Sequence, residues 1–343
     1  MAAVKHTGIL IWILGIAVIA GLTVWSGAEM VAQAVASVGW GAALIVLVRI
    51  ATVSTAGIGW WLLFAPAARP SVATCVALRF VREGINTLLP MAQVGGDLIG
   101  ARLVTFRGIA GPVAAANIIV DILLQAATQF AFAIVGLAML IWLEGDGPVA
   151  RGAAAGLALA AIALVGFYLA QRRAGERILA AVLNRFAGDR KWQVLGTVEQ
   201  VFRNLGAIYA ERRRLLASAV VHLVGWIIGT LEVLIALALM GHPVSFAEAL
   251  VIESLMHAIR GAAFVVPSAL GAQEGGLLVL CAIFGIPADA ALAVSLLKRV
   301  ADLVVGVPGL IGWQFLEGAR LRHSAQTAPD PRPGRFEQRA GER

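Results

Sequence analysis

At 343 residues, with 60% hydrophobic and 14% charged side chains and a mean hydropathy of +0.87, the chain lies outside the range of soluble domains. Its formal charge of +7 is concentrated in one internal loop and the C-terminal tail, so it reads as a membrane-orientation signal and gives no argument for nucleic acid. Backbone groups in hydrocarbon must pair within their own segment, and abundant Gly, Ala, Leu and Val suit packed helices better than a barrel's alternation. The expected fold is all-α, a polytopic integral membrane protein.

In chain order, Gly8 to Val24 is apolar behind Lys5 and His6; it exceeds a signal-peptide core and reads as a retained first helix. Val38 to Phe64 is long enough to span, and its Arg49 must face protein or a cavity. Ser71 to Phe106 is interrupted by Arg79, Arg82, Glu83, Asn86, Asp97 and Arg102, and broken by Pro90, Gly95 and Gly96. Pro112 to Leu143 spans with Asp121 inside it, and Val149 to Ala170 returns after an acidic turn. Gln171 to Arg214 is a polar loop with ten basic residues and belongs in the cytoplasm. Within it Ile178, Leu179, Val182, Leu183 and Phe186 have helical spacing, which fits either a surface helix on anionic lipid head groups or a solvated loop.

Leu215 to Met240 spans with Glu232 inside; Ala247 to Phe284 is irregular again, with Glu248, Glu253, His257, Arg260 and Glu274 around a break from Pro267 to Gly271. Ala288 to Leu316 spans with Lys298, Arg299 and Asp302 close together, and the Arg- and Pro-rich tail from Glu317 is expected to be disordered. The resulting divisions are an N-terminal helix and periplasmic loop (1–37), a first membrane repeat (38–148), a connecting helix with the basic loop (149–214), a second repeat (215–316) and a cytoplasmic tail (317–343).

The two irregular segments share a skeleton. Leu88-Leu89-Pro90 precedes Asp97 as Val265-Val266-Pro267 precedes Glu274, and Gly-Ile follows each acid at the same distance, as Gly108-Ile109 and Gly285-Ile286. With the basic loop and tail inside, parity makes the first segment start and end in the cytoplasm and the second start and end outside. The expected architecture is therefore two inverted-topology repeats, each a span, an interrupted re-entrant hairpin and a span, with both termini cytoplasmic. Gln273 to Phe284 is 12 residues, about 18 Å of helix, too short for a core of about 30 Å.

The fragments NTLLPMAQVGGDLIGARL and VVPSALGAQEGGLLVLCAIFGIPADAALAVSLLKRV, with their N-x3-P-x4-GGD and P-x3-G-x2-E-G elements, resemble the flippase-like family that includes the membrane region of lysylphosphatidylglycerol synthases. The resemblance runs from about Val38 to Leu316, and within the family the chain is most similar to bacterial inner-membrane proteins associated with hopanoid biosynthesis. The family commonly has a basic residue soon after GGD, whereas Gly100 and Ala101 precede Arg102 here. A short tail follows Leu316, so the soluble aminoacyl-transferring domain is expected to be missing. What the resemblance implies is lipid translocation without lipid aminoacylation.

An ionisable group at the bilayer centre costs on the order of 3 kcal/mol even on lenient scales. Asp97 and Glu274 are the matched pair, each expected just after a helix break, where they either line one midplane cavity and bind a substrate group or ion, or cap their own half-helices. Asn86 of the first element joins them. Arg82, Arg260 and Arg299 are candidates to pair with these acids or to hold an anionic head group. Asp121 and Glu232 fit a proton relay or, as the favoured account, a partner arginine such as Arg49. His222 and His257 lack metal-ligand spacing and are expected to make core hydrogen bonds; no metal or cofactor is expected. Cys75 and Cys281 read as small buried side chains, and Trp12, Trp25, Trp40, Trp60, Trp61, Trp142 and Trp313 as interfacial anchors. The function expected is movement of a polycyclic or polyprenyl-type lipid, hopanoid-related, between leaflets. Competing readings are an intramembrane lipid-modifying enzyme and a scaffold for lipid-synthesis or export proteins. No nucleophile-base pair or phosphate-binding glycine loop is present to favour the enzyme.

Overall fold

The computed structural model describes residues 28–89, 95–172, 191–263, 269 and 271–326. All the regular structure among them is helical: α1 (Ala28–Val38), α2 (Gly41–Leu63), a 3-10 turn (Pro66–Ala68), α3 (Val72–Leu88), α4 (Gly95–Thr105), α5 (Gly111–Glu144), α6 (Pro148–Ala170), α7 (Lys191–Ala210), α8 (Arg212–Leu239), α9 (Phe246–Ala262), α10 (Ala272–Ile283) and α11 (Ala288–Gln326). Pro90 and Pro267, the N-terminal helix, the 178–186 segment and the tail beyond Gln326 lie outside the described residues.

Local chemistry sets the ends. Ser71 caps α3 by accepting from the Thr74 N–H at 3.1 Å, and Ser245 and Glu248 form a reciprocal capping box at the start of α9. Pro112 and Pro148 sit in the first turns of α5 and α6, where a missing N–H costs nothing. Gly145, at φ 80°, ends α5 in a conformation that disfavours any side chain.

Helices α2, α5, α6 and α8 are long and apolar enough to cross a membrane. They present Leu47, Ile134, Leu159, Ile162 and Val220 outward, as a lipid-facing surface requires. Helix α6 is the outermost, burying Ala150 and Leu157 alone among its 23 residues. Helix α2 lies along α8; α3 packs on α2, α4 and α11, and α9 packs on α8, α10 and α5. Helix α4 also meets α5, and α10 meets α11.

At the α3–α11 crossing the backbones touch: a methyl group on Gly84 would collide with the Gly306 carbonyl, and one on Gly309 with that of Phe80. The α5–α9 crossing is different. Gly136 is pressed on Ser254, but two turns away Gln129 stands between the helices, its Nε2 donating to the His257 carbonyl at 2.7 Å and facing Gly261.

Three expectations need correction. The polar loop holds a 20-residue helix, α7, which buries Leu205 and Ile208 in the cluster that α5 also lines; Val201, Leu205 and Ile208 have helical spacing, hidden among charges. Helix α11 continues ten residues past Leu316 to Gln326, tied to α4 by the Glu317–Arg102 pair at 3.1 Å. Trp40 and Trp142 are 94% and 76% exposed, as anchors should be, but Trp60 is fully buried against Phe64 and Trp313 is buried too. Both cysteines are buried and free.

Candidate functional site

A cavity of about 300 Å³ lies inside the bundle, walled by α2, α3, α4, α5, α8 and α9. Its charged lining comprises Arg49, Arg79, Glu83, Asp97, Glu232, Glu253 and Arg260, with His222, His257 and Asn86 beside them. The helical period explains which side chains reach it. Arg79, Glu83 and Asn86 recur at intervals of four and three on one face of α3, whereas Arg82 is turned toward α4 and α5.

Arg82 is wholly buried and sits between two carboxylates. Its Nε and Nη2 donate to Asp97 Oδ1 at 2.9 and 2.5 Å, and Nη2 also donates to Asp121 Oδ2 at 2.7 Å. Its guanidinium lies 4.9 Å from the centre of the Trp60 ring, and its stem lies on Gly100, where a methyl group would come within 2.7 Å of Cδ. Asp97 is in the first turn of α4. The two glycines before it permit this, because Gly96 packs on the Arg82 carbonyl and donates its N–H to Asn86 Oδ1 at 2.7 Å, while Asn86 Nδ2 donates to Asp97 Oδ2 at 3.2 Å. Asp121 completes the group, accepting from Gln125 at 2.8 Å and standing 3.1 Å from His222 Nε2.

A second network lies across the cavity. Lys298, almost fully buried, donates to Glu232 at 2.8 Å and to both oxygens of Glu253 at 2.8 and 2.9 Å. Arg49 donates to Glu232 at 2.9 Å and pairs with Asp302 at 3.3 Å without hydrogen-bond geometry. Arg260 faces the other Asp302 oxygen at 3.7 Å, and His257 Nε2 stands 3.0 Å from Glu253 with its ring edge-on to Trp226. Such groups are stable in a low-dielectric interior because each has charged partners; losing one partner leaves a buried charge uncompensated.

The expected pairs of Arg82 with Asp97 and of Arg299 with Glu274 both form. Arg299 donates to Glu274 Oε1 at 2.8 and 2.6 Å, and Glu274 Oε2 accepts from the Gly271 N–H at 2.8 Å, so this acid also holds the start of its helix. The described residues that line the cavity include Asp97 but not Glu274, so the two acids do not share it. Arg260 does line it, but its partner is Asp302 and neither member of the acid pair. Arg49 meets Glu232 as expected, whereas Asp121 takes Arg82; both histidines make hydrogen bonds, that of His222 buried as expected and that of His257 half-buried. Gly95, Gly96 and Gly271 stand at the starts of α4 and α10.

Lys298 is the principal residue that sequence reasoning missed. Its signal was the spacing to Asp302: four residues apart on α11, the two share a face, while Arg299 is turned by about 100° toward Glu274. Among the described residues no cluster of three or more His, Cys, Asp or Glu could hold a metal ion.

Residues 12–309 match the family model described as the lysylphosphatidylglycerol synthase TM region. No curated protein and no solved structure matches the chain.

Proposed function

Since the chain belongs to the lysylphosphatidylglycerol synthase TM region family and is a membrane protein tied to lipid metabolism or transport, we propose that it moves a lipid between leaflets by admitting the polar head group to the charged cavity. The cavity carries the reading. Its volume of about 300 Å³ is at the lower end of the ~300–1,000 Å³ range of small-molecule pockets, enough for a head group and too little for a long hydrocarbon. The hydrocarbon then stays in the bilayer while the head group exchanges its hydration for the side chains of Arg49, Arg79, Asn86, Asp97 and Arg260. A charged group placed in bare hydrocarbon costs on the order of 3 kcal/mol or more, and this is the barrier such a wall lowers.

The substrate is a polycyclic or polyprenyl-type lipid, hopanoid-related, in the inner membrane of a bacterium, which the sequence resemblance supports; both termini are cytoplasmic, which the charge of the basic loop and tail supports. No covalent step is involved. Two inverted repeats with re-entrant hairpins form the scaffold. That organisation is supported by the shared sequence skeleton and by matched pairings, α3 on α11 with α9 on α5, and α4 on α5 with α10 on α11. The basic loop rests on anionic head groups, and lipid-synthesis or export proteins act beside the chain.

The test is a leaflet-by-leaflet lipid inventory in cells lacking the protein, complemented with wild type or with Asp97→Asn. The lipid accumulates on its leaflet of synthesis without the protein, and wild type restores its distribution while Asp97→Asn does not. An unchanged distribution in the deletion sinks the proposal.

A further inference from the structure

We propose that His222 is a proton-binding site and, resting on the transport reading above, that lipid movement is coupled to the proton it takes up and releases. The argument is one of buried charge. In the second network three cations, Arg49, Arg260 and Lys298, face three carboxylates, Glu232, Glu253 and Asp302, and Arg79 is paired with Glu83. The first group does not balance: Arg82 is the single Lys or Arg paired with Asp97 and Asp121 among the described residues, so one negative charge is left over where no side chain is more than 9% exposed. An uncompensated buried charge is neutralised by taking up a counter-charge.

His222 is placed to supply it. Its Nε2 stands 3.1 Å from Asp121 Oδ1, while Arg82 and Gln125 use Oδ2, so a proton on the imidazole neutralises the group without displacing either bond. A proton on the ring supplies the counter-charge while both carboxylates keep accepting from Arg82, Asn86 and Gln125. The ring is 3% exposed yet borders the cavity, which is the proton's route.

The groups around it come from every side. Helix α5 supplies Asp121 and Gln125, α3 supplies Arg82, Arg79 and Cys75, and α4 supplies Asp97 beyond Arg82. Helix α2 offers the Gly59 backbone, against which the ring is pressed, with Arg49 in the balanced network. Helices α9 and α11 contribute Glu253, His257, Arg260, Lys298 and Asp302 to that same network. There His257 differs from His222, since Lys298 already holds both oxygens of its partner Glu253. When Arg82 and Asp97 part to admit a head group, the field at Asp121 changes and the imidazolium gives its proton to the cavity; closure takes one up again.

The proton site is read directly by ¹⁵N-histidine NMR of the full chain in lipid nanodiscs at about neutral pH. The sequence has five histidines, few enough to assign by single Gln substitutions. Both His222 ring nitrogens should carry hydrogen in wild type, and the ring should be neutral in Asp121→Asn or in Asp97→Asn, since either removes the surplus charge. A neutral His222 in wild type, or a charge state indifferent to both substitutions, overturns the site. In proteoliposomes an imposed pH gradient should change the wild-type rate of lipid movement by up to about tenfold per pH unit, and the rate remaining in His222→Gln should ignore the gradient. Wild-type movement indifferent to the gradient refutes the coupling and leaves the transport reading standing. No wild-type movement under any condition refutes transport and the coupling with it, while the NMR result still decides the proton site.

Discussion

Substituting Arg82 with Met tests whether the Arg82 group is held by charge. The thioether side chain keeps much of the stem that lies on Gly100 and beside Trp60, so the change removes mainly the guanidinium and its three hydrogen bonds to two carboxylates. Removing one member of a buried pair costs about 3–5 kcal/mol, because the partner is left charged and unpaired. Here two partners are left. Asp97 is partly relieved by Asn86 and the cavity, and Asp121 by Gln125 and His222, so the expected loss stays within that range, at about 3–5 kcal/mol. Against a total stability of about 5–15 kcal/mol that is a large fraction. Denaturant unfolding of the purified protein in micelles measures it, and the triple variant Arg82→Met, Asp97→Asn, Asp121→Asn should recover all but about 1–2 kcal/mol, since no charge is then left in the site. A single variant within about 1 kcal/mol of wild type, or a triple variant no more stable than the single, would refute the reasoning.

Other consequences are as direct. Asp97→Asn leaves Arg82 balanced one to one by Asp121, so it should cost less than about 2 kcal/mol while stopping lipid movement; Glu274→Gln, outside the cavity, should cost a similar amount through Arg299 and leave movement near wild type, and equal transport defects would contradict that division. Gly100→Ala pushes a methyl group onto the Arg82 stem and should cost about 1–3 kcal/mol in the same unfolding assay, an effect that should vanish in the Arg82→Met background. Cysteines introduced at Gly145 and His242 should label from the periplasmic side and one at Glu211 only after permeabilisation, with little background from buried Cys75 and Cys281; labelling of Gly145 and Glu211 from one side would remove the inverted-repeat scheme.

Much of the architecture was legible because the bilayer imposes simple rules. Length and hydropathy located α2, α5, α6 and α8, and the glycines at 95, 96 and 271 marked the starts of α4 and α10. Arginines near the paired acids were legible too, since a charge in hydrocarbon needs a partner. Which partner was not: Arg82 reaches Asp121, 39 residues on, and Lys298 reaches Glu253 and Glu232 through helix neighbours that periodicity within one helix cannot identify. Trp60 was misjudged for a related reason, since in a membrane protein the core and the lipid surface are both apolar, and composition does not distinguish an aromatic facing one from an aromatic facing the other. Helix α7 was hidden by its charges, and the extension of α11 past Leu316 by a polar composition that suits a helix end as well as a coil.

The unequal crossings of α3 with α11 and of α5 with α9 give the bundle an uneven compliance. Where Gly84 and Gly309 bring backbones together, no rotamer intervenes, and the spacing there is as stiff as the peptide bonds that define it. Between α5 and α9 the close contact is that of Gly136 with Ser254, and two turns away a glutamine with three rotatable bonds stands between the helices, hydrogen-bonded to the His257 carbonyl. Gln129 also lines the cavity, so the side chain that separates α5 from α9 at this point is itself part of the chamber wall, and a change of its rotamer alters the spacer and the wall together.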